Sequence, residues 1–299
     1  MNILLTGSNG FLGKELYNKL SKYNVQTLSR TNSDYNINLA KSVPSFFSTF
    51  ELVIHAAGQA HFHPKTEIEK SSFFNINVLG TKNLLEGLTK SIPKRFVFIS
   101  SVSVYGIDEG ENIIESSELN AVDSYGKSKI EAEIVVRDWC IKHNVICTIF
   151  RLPLVVGPNP PGNLGAMIKG INNGYYFNIS GGIAKKSMVL ASDIAKYVLI
   201  ASEIGGIYNL TDGIHPTFCD LSNNIASKLG KSFVPTLPFF LAKLLAKFGD
   251  LLGLDFPLNT NKLIKITSSL TFDDSKARKF FGWKPKSVLE ELNFDDTFF

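Results

Sequence analysis

Tyr125 and Lys129 stand four residues apart in Ser124-Tyr125-Gly126-Lys127-Ser128-Lys129. On a helix that spacing turns both side chains to one side. An ammonium beside a phenol stabilises phenolate and lowers the tyrosine pKa toward working pH, which would make Tyr125 a usable general acid or base. A Tyr and a Lys so spaced also describe an ordinary helix surface, so a third group is needed. Phe96-Val97-Phe98-Ile99-Ser100-Ser101, a run of aromatic and β-branched residues ending in hydroxyls, supplies it. A serine there can hydrogen-bond a reacting oxygen and the tyrosine together. The alternative is that Ser100, Ser101 and Ser103 satisfy backbone groups at a strand end.

Gly7-Ser8-Asn9-Gly10-Phe11-Leu12-Gly13 follows the first apolar run and opens a helical pattern, a G-x-x-G-x-x-G arrangement. Gly7 suits a tight turn, Gly10 lets a diphosphate approach the backbone, and Gly13 lets the helix sit close to the sheet. Unpaired N–H groups at the helix start complement phosphate charge. Strand, glycine loop and helix in succession predict a dinucleotide site. At the end of the second strand, where an acidic residue would bind an adenosine ribose, stands Leu28-Ser29-Arg30. A hydroxyl and a guanidinium suit a phosphate, so NADP(H) is expected over NAD(H). Arg30 as a solvated residue or stacked on adenine is the alternative. Lys129 would then have a second use, holding the ribose of the nicotinamide.

These groups need a scaffold that brings them to one edge. Residues 2–6, 24–29, 52–55, 95–100 and 145–151 read as strands, and helical spacing of apolar residues marks 11–20, 73–89 and 124–142 as the helices between them. Right-handed crossovers place all the strand carboxyl ends on one edge, where ligands settle above the point at which strand order reverses. The expected fold is α/β, a Rossmann-type doubly wound parallel sheet over residues 1–152. After Arg151 the pattern loosens into Gly157-Pro158-Asn159-Pro160-Pro161-Gly162. Residues 153–299 are expected to form mainly a smaller C-terminal substrate-binding lobe, with some segments returning to the first domain.

Composition fits that plan. With 44% hydrophobic and 19% charged residues, a chain of 299 can bury one large core or two modest ones, which excludes a disulfide miniprotein and extended disorder. The net charge of +4 has no clustered basic face behind it, so no nucleic-acid partner is expected. Three cysteines, Cys140, Cys147 and Cys219, without a C-x-x-C pair suit structural thiols in a reducing, cytoplasmic setting. The first residues lack the basic start and apolar stretch of a secretory signal. No apolar run is long enough to span a bilayer. The nearest, 238–254, is interrupted by Lys243, Lys247, Gly249 and Asp250. Its lysines, four apart on one face, are compatible with a helix lying on a membrane surface, although packing against its own domain is the expected outcome. His55, His61 and His63 have no cysteine or acidic cluster nearby, so no metal is expected; the latter two could touch substrate from above the cofactor.

Jointly these features resemble the extended branch of the short-chain dehydrogenase/reductase superfamily, the NAD(P)-dependent nucleotide-sugar epimerases, dehydratases and ketoreductases. The resemblance runs over nearly the whole chain. It is carried by Gly7 to Gly13, Ile54-His55-Ala56-Ala57-Gly58, Asn77-Val78-Leu79-Gly80-Thr81, Ser101 with Val104-Tyr105-Gly106, the Tyr125 and Lys129 pair, Phe272-Asp273-Asp274-Ser275-Lys276-Ala277, and Gly282-Trp283-Lys284-Pro285.

The resemblance implies that Tyr125 is the catalytic acid or base and Lys129 its pKa modulator and ribose ligand. Ser101 is implied as the hydroxyl partner, preferred to Ser100 because it lies four residues before Tyr105. The glycine loop with Asn9, Phe11 and Leu12, then Ser29, Arg30, Ala56, Ala57 and Gly58, would line the cofactor. Asn77 would support that side, and Pro153 would abut the nicotinamide. Ser101, Ser103 and Tyr125, with Asn163, Leu164 and Lys186, are the implied substrate contacts. Sugar dehydratases carry an Asp-Glu pair where this chain has Val102 and Ser103, so dehydration is disfavoured; many epimerases carry an asparagine where Leu154 stands. What remains is hydride exchange at a carbinol, expected at carbon four of a nucleotide-linked hexose, as a 4-ketosugar reductase or 4-epimerase, with Arg30 tilting toward the reductase. A non-catalytic dinucleotide-binding regulator is the competing reading, and it has no chemical use for Ser101, Tyr125 and Lys129 together. Relatives commonly form a homodimer through a bundle that would include the Tyr125 helix.

Overall fold

Alternate residues of the first strand serve two different cores. Ile3 and Leu5 pack with Leu16, Leu20, Ile194, Val198 and Trp283 on one face, while Leu4 packs with Leu84, Phe96, Phe98, Ala132 and Val136 on the other. A strand apolar on both sides is the mark of a sheet covered on both faces by helices. The computed structural model describes residues 1–60, 64, 66–252 and 258–293.

In it β1 (Asn2–Thr6), β2 (Asn24–Ser29), β3 (Tyr35–Asn36), β4 (Leu52–His55), β5 (Arg95–Ser101), β6 (Ile146–Leu152) and β7 (Gly206–Asn209) form one parallel sheet, ordered β7-β6-β5-β4-β1-β2-β3. Strand order reverses between β1 and β4, so a crevice opens at their carboxyl ends, beside Thr6 and His55. Helices α1 (Phe11–Leu20), α2 (Glu67–Phe74), α3 (Gly80–Leu88) and α4 (Ser124–Lys142) occupy the first half of the chain; α5 (Gly162–Asn172), α6 (Ala191–Ile204), α7 (Phe218–Lys228), α8 (Phe239–Leu252) and α9 (Thr260–Thr267) occupy the second.

Three elements differ from expectation. The single helix expected at 73–89 begins earlier, where Thr66 and Glu69 form a reciprocal capping box, and passes through a π-helical turn at Asn75–Leu79 before α3. Strands β3 and β7 were not anticipated. β3 is two residues long, and the β7 segment is apolar only at Ile207 and Tyr208. β7 comes from the second half of the chain and pairs with β6 at the edge of the sheet.

The second half of the chain contributes a separate core, in which Val156, Leu164, Ile168, Met188, Leu221 and Ile225 meet. Trp283 is fully buried on the sheet side and donates Nε1–H to the Thr211 carbonyl at 2.9 Å, tying the C-terminal region to the strand edge. The apolar stretch expected to pack on its own domain does so as α8, but through Ala242, Ala246 and Gly249, while its large apolar side chains stay exposed. No helix among the described residues is long and apolar enough to cross a membrane.

Candidate active site

The glycine loop is shaped by contacts that a side chain would destroy. Gly7 sits at φ +74, and a Cβ on it would lie 2.7 Å from Ala57 N and 2.8 Å from Ala56 C. A Cβ on Gly13 would fall 2.0 Å from the Gly7 carbonyl oxygen, which is how close α1 runs to the end of β1. The first turn of α1 has no acidic residue and its N-cap Gly10 has no side-chain bond, leaving backbone donors directed at the crevice. This cradle fits a dinucleotide diphosphate. Ser8 and Ser29 hydroxyls meet at 3.2 Å, Asn9 donates to the Thr31 carbonyl at 2.6 Å, and Arg30 projects into solvent beyond β2. Leu12 packs at the edge of the sheet core, and Phe11 lies against Gly157.

The crevice wall is held by a buried polar chain. His55 Nδ1 meets Thr6 Oγ1 at 2.7 Å, its Nε2 meets Thr81 Oγ1 at 2.9 Å, and Thr81 donates onward to the Asn77 carbonyl at 2.6 Å. Thr6 also accepts from Ala57 N at 3.2 Å. Burial, with Lys129 adding to it, pushes His55 down to about 3, so the ring is neutral and serves as structure. Asn77 grips the backbone of Gln59 twice, accepting from its N–H at 2.7 Å and donating to its carbonyl at 3.2 Å, and donates to Ser128 at 2.9 Å.

Asp123 caps α4 by accepting from Gly126 N at 3.0 Å, which sets Tyr125 in the first turn. A Cβ on Gly126 would be 2.5 Å from Ala121 Cβ and 2.7 Å from the Ser103 carbonyl oxygen, so glycine is what lets this turn close on the segment that follows β5. The Ser101 hydroxyl stands near enough to the Tyr125 phenol to pull its pKa down. Ser101 also donates to Ser103 Oγ at 3.1 Å, and the Tyr125 ring leans on Phe73 with centroids 5.8 Å apart.

Lys129 is 6% exposed; its Nζ donates to the Ile99 carbonyl at 2.9 Å and stands over the Phe98 ring. A Cβ on Gly58 would lie 3.3 Å from that Nζ and 3.1 Å from Asn77 Oδ1, so Gly58, Asn77 and Lys129 share one corner. Burial pushes Lys129 down to about 8, against the pull of Glu133. Burial pushes the Tyr125 phenol up, Ser101 pulls it down, and Asp123 adds to the upward push. Four-residue spacing gives a shared helix side, but Lys129 is drawn to the end of β5.

Next to the site lies an ion pair that the sequence reading missed. Glu133 and Arg151 are almost fully buried and joined by three hydrogen bonds of 2.8 to 3.3 Å. Ser100 donates to Glu133 at 2.5 Å, and Arg151 reaches Tyr105 Oη at 3.2 Å. The available signal was an Arg inside an apolar strand, which requires a buried partner.

Other expected residues are more dispersed. Pro153 directly follows β6. Leu164 is 2% exposed and packs with Val156 and Ile168, and Asn163 is exposed at the start of α5. Lys186 bridges to Leu270 and is pushed down to about 8 by burial, with Asp108 opposing and Lys265 reinforcing. His61 and His63 lie outside the described residues.

A model of the NAD dependent epimerase/dehydratase family matches residues 3–210. The chain belongs to this family. Among similar proteins, the N-acetyl-alpha-D-glucosaminyl-diphospho-ditrans,octacis-undecaprenol 4-epimerase of Escherichia coli O157:H7 is 26% identical over 98% of this chain and 93% of its own length. A UDP-glucose 4-epimerase of Vibrio cholerae is 28% identical over 97% of this chain and 92% of its own. In fold this family member matches the structure of UDP-glucose 4-epimerase from Thermotoga maritima with UDP-glucose, with TM-score 0.74, 22% identity, and 97% and 96% of the two chains covered. It also matches RMD from Pseudomonas aeruginosa complexed with NADPH, with TM-score 0.72, 20% identity, and 97% and 95% covered.

Proposed function

We propose that the protein exchanges hydride at carbon four of a hexose carried on a diphosphate, with 4-epimerisation of a nucleotide-linked hexose as its reaction. The observation that carries this reading is Lys129, four residues after Tyr125, with its Nζ held at the end of β5 in one corner with Gly58 and Asn77, on the same sheet edge as the glycine cradle. Gly7, Gly10, Gly13, Ala56, Ala57 and Gly58 would hold the dinucleotide, with Asn77 fixing the Gln59 backbone beside it and Lys129 donating to a ribose. When bound, the nicotinamide accepts and returns hydride. Tyr125 moves the proton at the sugar oxygen, taking it in oxidation and restoring it in reduction, and Ser101 orients that oxygen. Ser103, Asn163 and the α5 backbone at Leu164, with Lys186, would take the sugar and its diphosphate. Residues 153–299 act mainly as the substrate lobe.

Arg30 with Ser29 supports a second reading, a 4-ketosugar reductase that consumes NADPH, because β2 ends without an acid to bind an adenosine ribose. Val102 and Ser103 offer neither acid nor base for dehydration. Incubation with UDP- and GDP-hexoses and their 4-ketosugars, with and without NADPH, separates the readings. Interconversion without added NADPH identifies the epimerase, and stoichiometric NADPH loss the reductase. Dinucleotide binding with no turnover across the panel would leave the non-catalytic regulator.

A further inference from the structure

We propose that α8 lies on an anionic lipid surface as an interfacial helix. A helix that serves a core turns its large apolar side chains inward; α8 does the reverse. Ala242 and Ala246 pack against Ile179 and Leu263, with Gly249 buried beside them, so small residues occupy the inner side. Phe240, Leu244, Phe248, Leu251 and Leu252 occupy an outer arc of roughly 120° and are between 55% and 85% exposed. Large apolar side chains gathered on one exposed arc are the kind of patch that marks an interaction surface.

Charge complementarity identifies the occupant. Lys243 and Lys247 are exposed and lie one turn apart at one edge of the apolar arc. The acid of the helix, Asp250, lies on the lysine edge about 20° beyond Lys243 and is occupied by Thr260, whose N–H it accepts at 3.0 Å. A lipid surface satisfies both halves, with the apolar side chains entering the acyl boundary and the ammonium groups staying among headgroup phosphates. Fourteen residues rise only about 21 Å, short of a bilayer's hydrocarbon thickness of about 30 Å, so the helix lies on the membrane and does not span it. The docking rests on this helix alone and holds whether the hexose is carried on a nucleotide or on a lipid.

Flotation of the full chain with phosphatidylcholine vesicles containing about one third phosphatidylglycerol tests it. The chain should rise with these vesicles, less with pure phosphatidylcholine, and less as salt increases. Phe248→Glu should weaken binding by at least about tenfold, and Lys243→Gln and Lys247→Gln by roughly fivefold each. None of the three touches the site, so Tm and dinucleotide affinity should stay unchanged. A folded chain that does not float, or a Phe248→Glu variant that floats as well as the parent, overturns the proposal. A dimer in solution that Phe248→Glu dissociates, with no flotation, overturns it in favour of a second copy. Turnover is not read, so failure here leaves the hydride chemistry untouched.

Discussion

Ser100 and Ser101 are consecutive on β5 and send their hydroxyls to different tasks: Ser100 donates to the buried Glu133 at 2.5 Å, and Ser101 donates to Ser103 at 3.1 Å and pulls the Tyr125 phenol down. Successive strand residues point to opposite faces, so two neighbouring serines of identical chemistry are divided into one that anchors an ion pair and one that serves the crevice. Ser101→Ala should therefore lower kcat by about 10²-fold with Tm nearly unchanged. Ser100→Ala should lower stability by about 1–3 kcal/mol with a smaller effect on kcat. Denaturant titration alongside steady-state kinetics compares the two.

Tyr125→Phe keeps the ring against Phe73 and removes the transferable proton. Turnover should fall by at least about 10³-fold while dinucleotide affinity, read by fluorescence titration, holds. Near-normal turnover would falsify the assigned proton transfer.

Gly126→Ala places a methyl group against Ala121 and the Ser103 carbonyl. The start of α4 must move away from the turn that follows β5, so kcat should drop and stability fall by about 1–3 kcal/mol, with NAD(P)H binding the less affected property. Unchanged kcat would show that the close approach of these two elements is not needed.

Arg30→Ala should weaken NADPH by about tenfold and leave NADH nearly unchanged. Equal effects in calorimetric titrations of the two cofactors would remove the basis for preferring the phosphorylated one.

His55 titrates near 6.5 when unfolded and is pushed down to about 3 when folded, so below 6.5 the unfolded chain binds the extra proton. Its contribution to stability is present above pH 6.5 and is lost as pH falls from there toward about 3. In Lys129 burial lowers the folded value from 10.5 to about 8, and the sign is the same in a higher window: the unfolded chain holds more protons between 8 and 10.5, so this group's share of stability rises across that window. Urea midpoints of the parent, His55→Asn and Lys129→Met across both windows should show the variants flatter than the parent.

The glycine loop, the Tyr125 and Lys129 spacing and the alternation of β1 were legible because each is local: a turn, a helix repeat and a strand repeat are written in consecutive residues. β1, β2, β4, α1 and α4 appear at their expected limits for the same reason. The pairing of β7 with β6, the Glu133–Arg151 bond, the reach of Asn77 to Gln59 and the direction in which Tyr125 is shifted were decided only by tertiary structure. Each depends on which distant segment comes to rest beside the group and how much water it displaces. Spacing puts Lys129 and Tyr125 on one side of a helix, but the end of β5 determines where that ammonium goes.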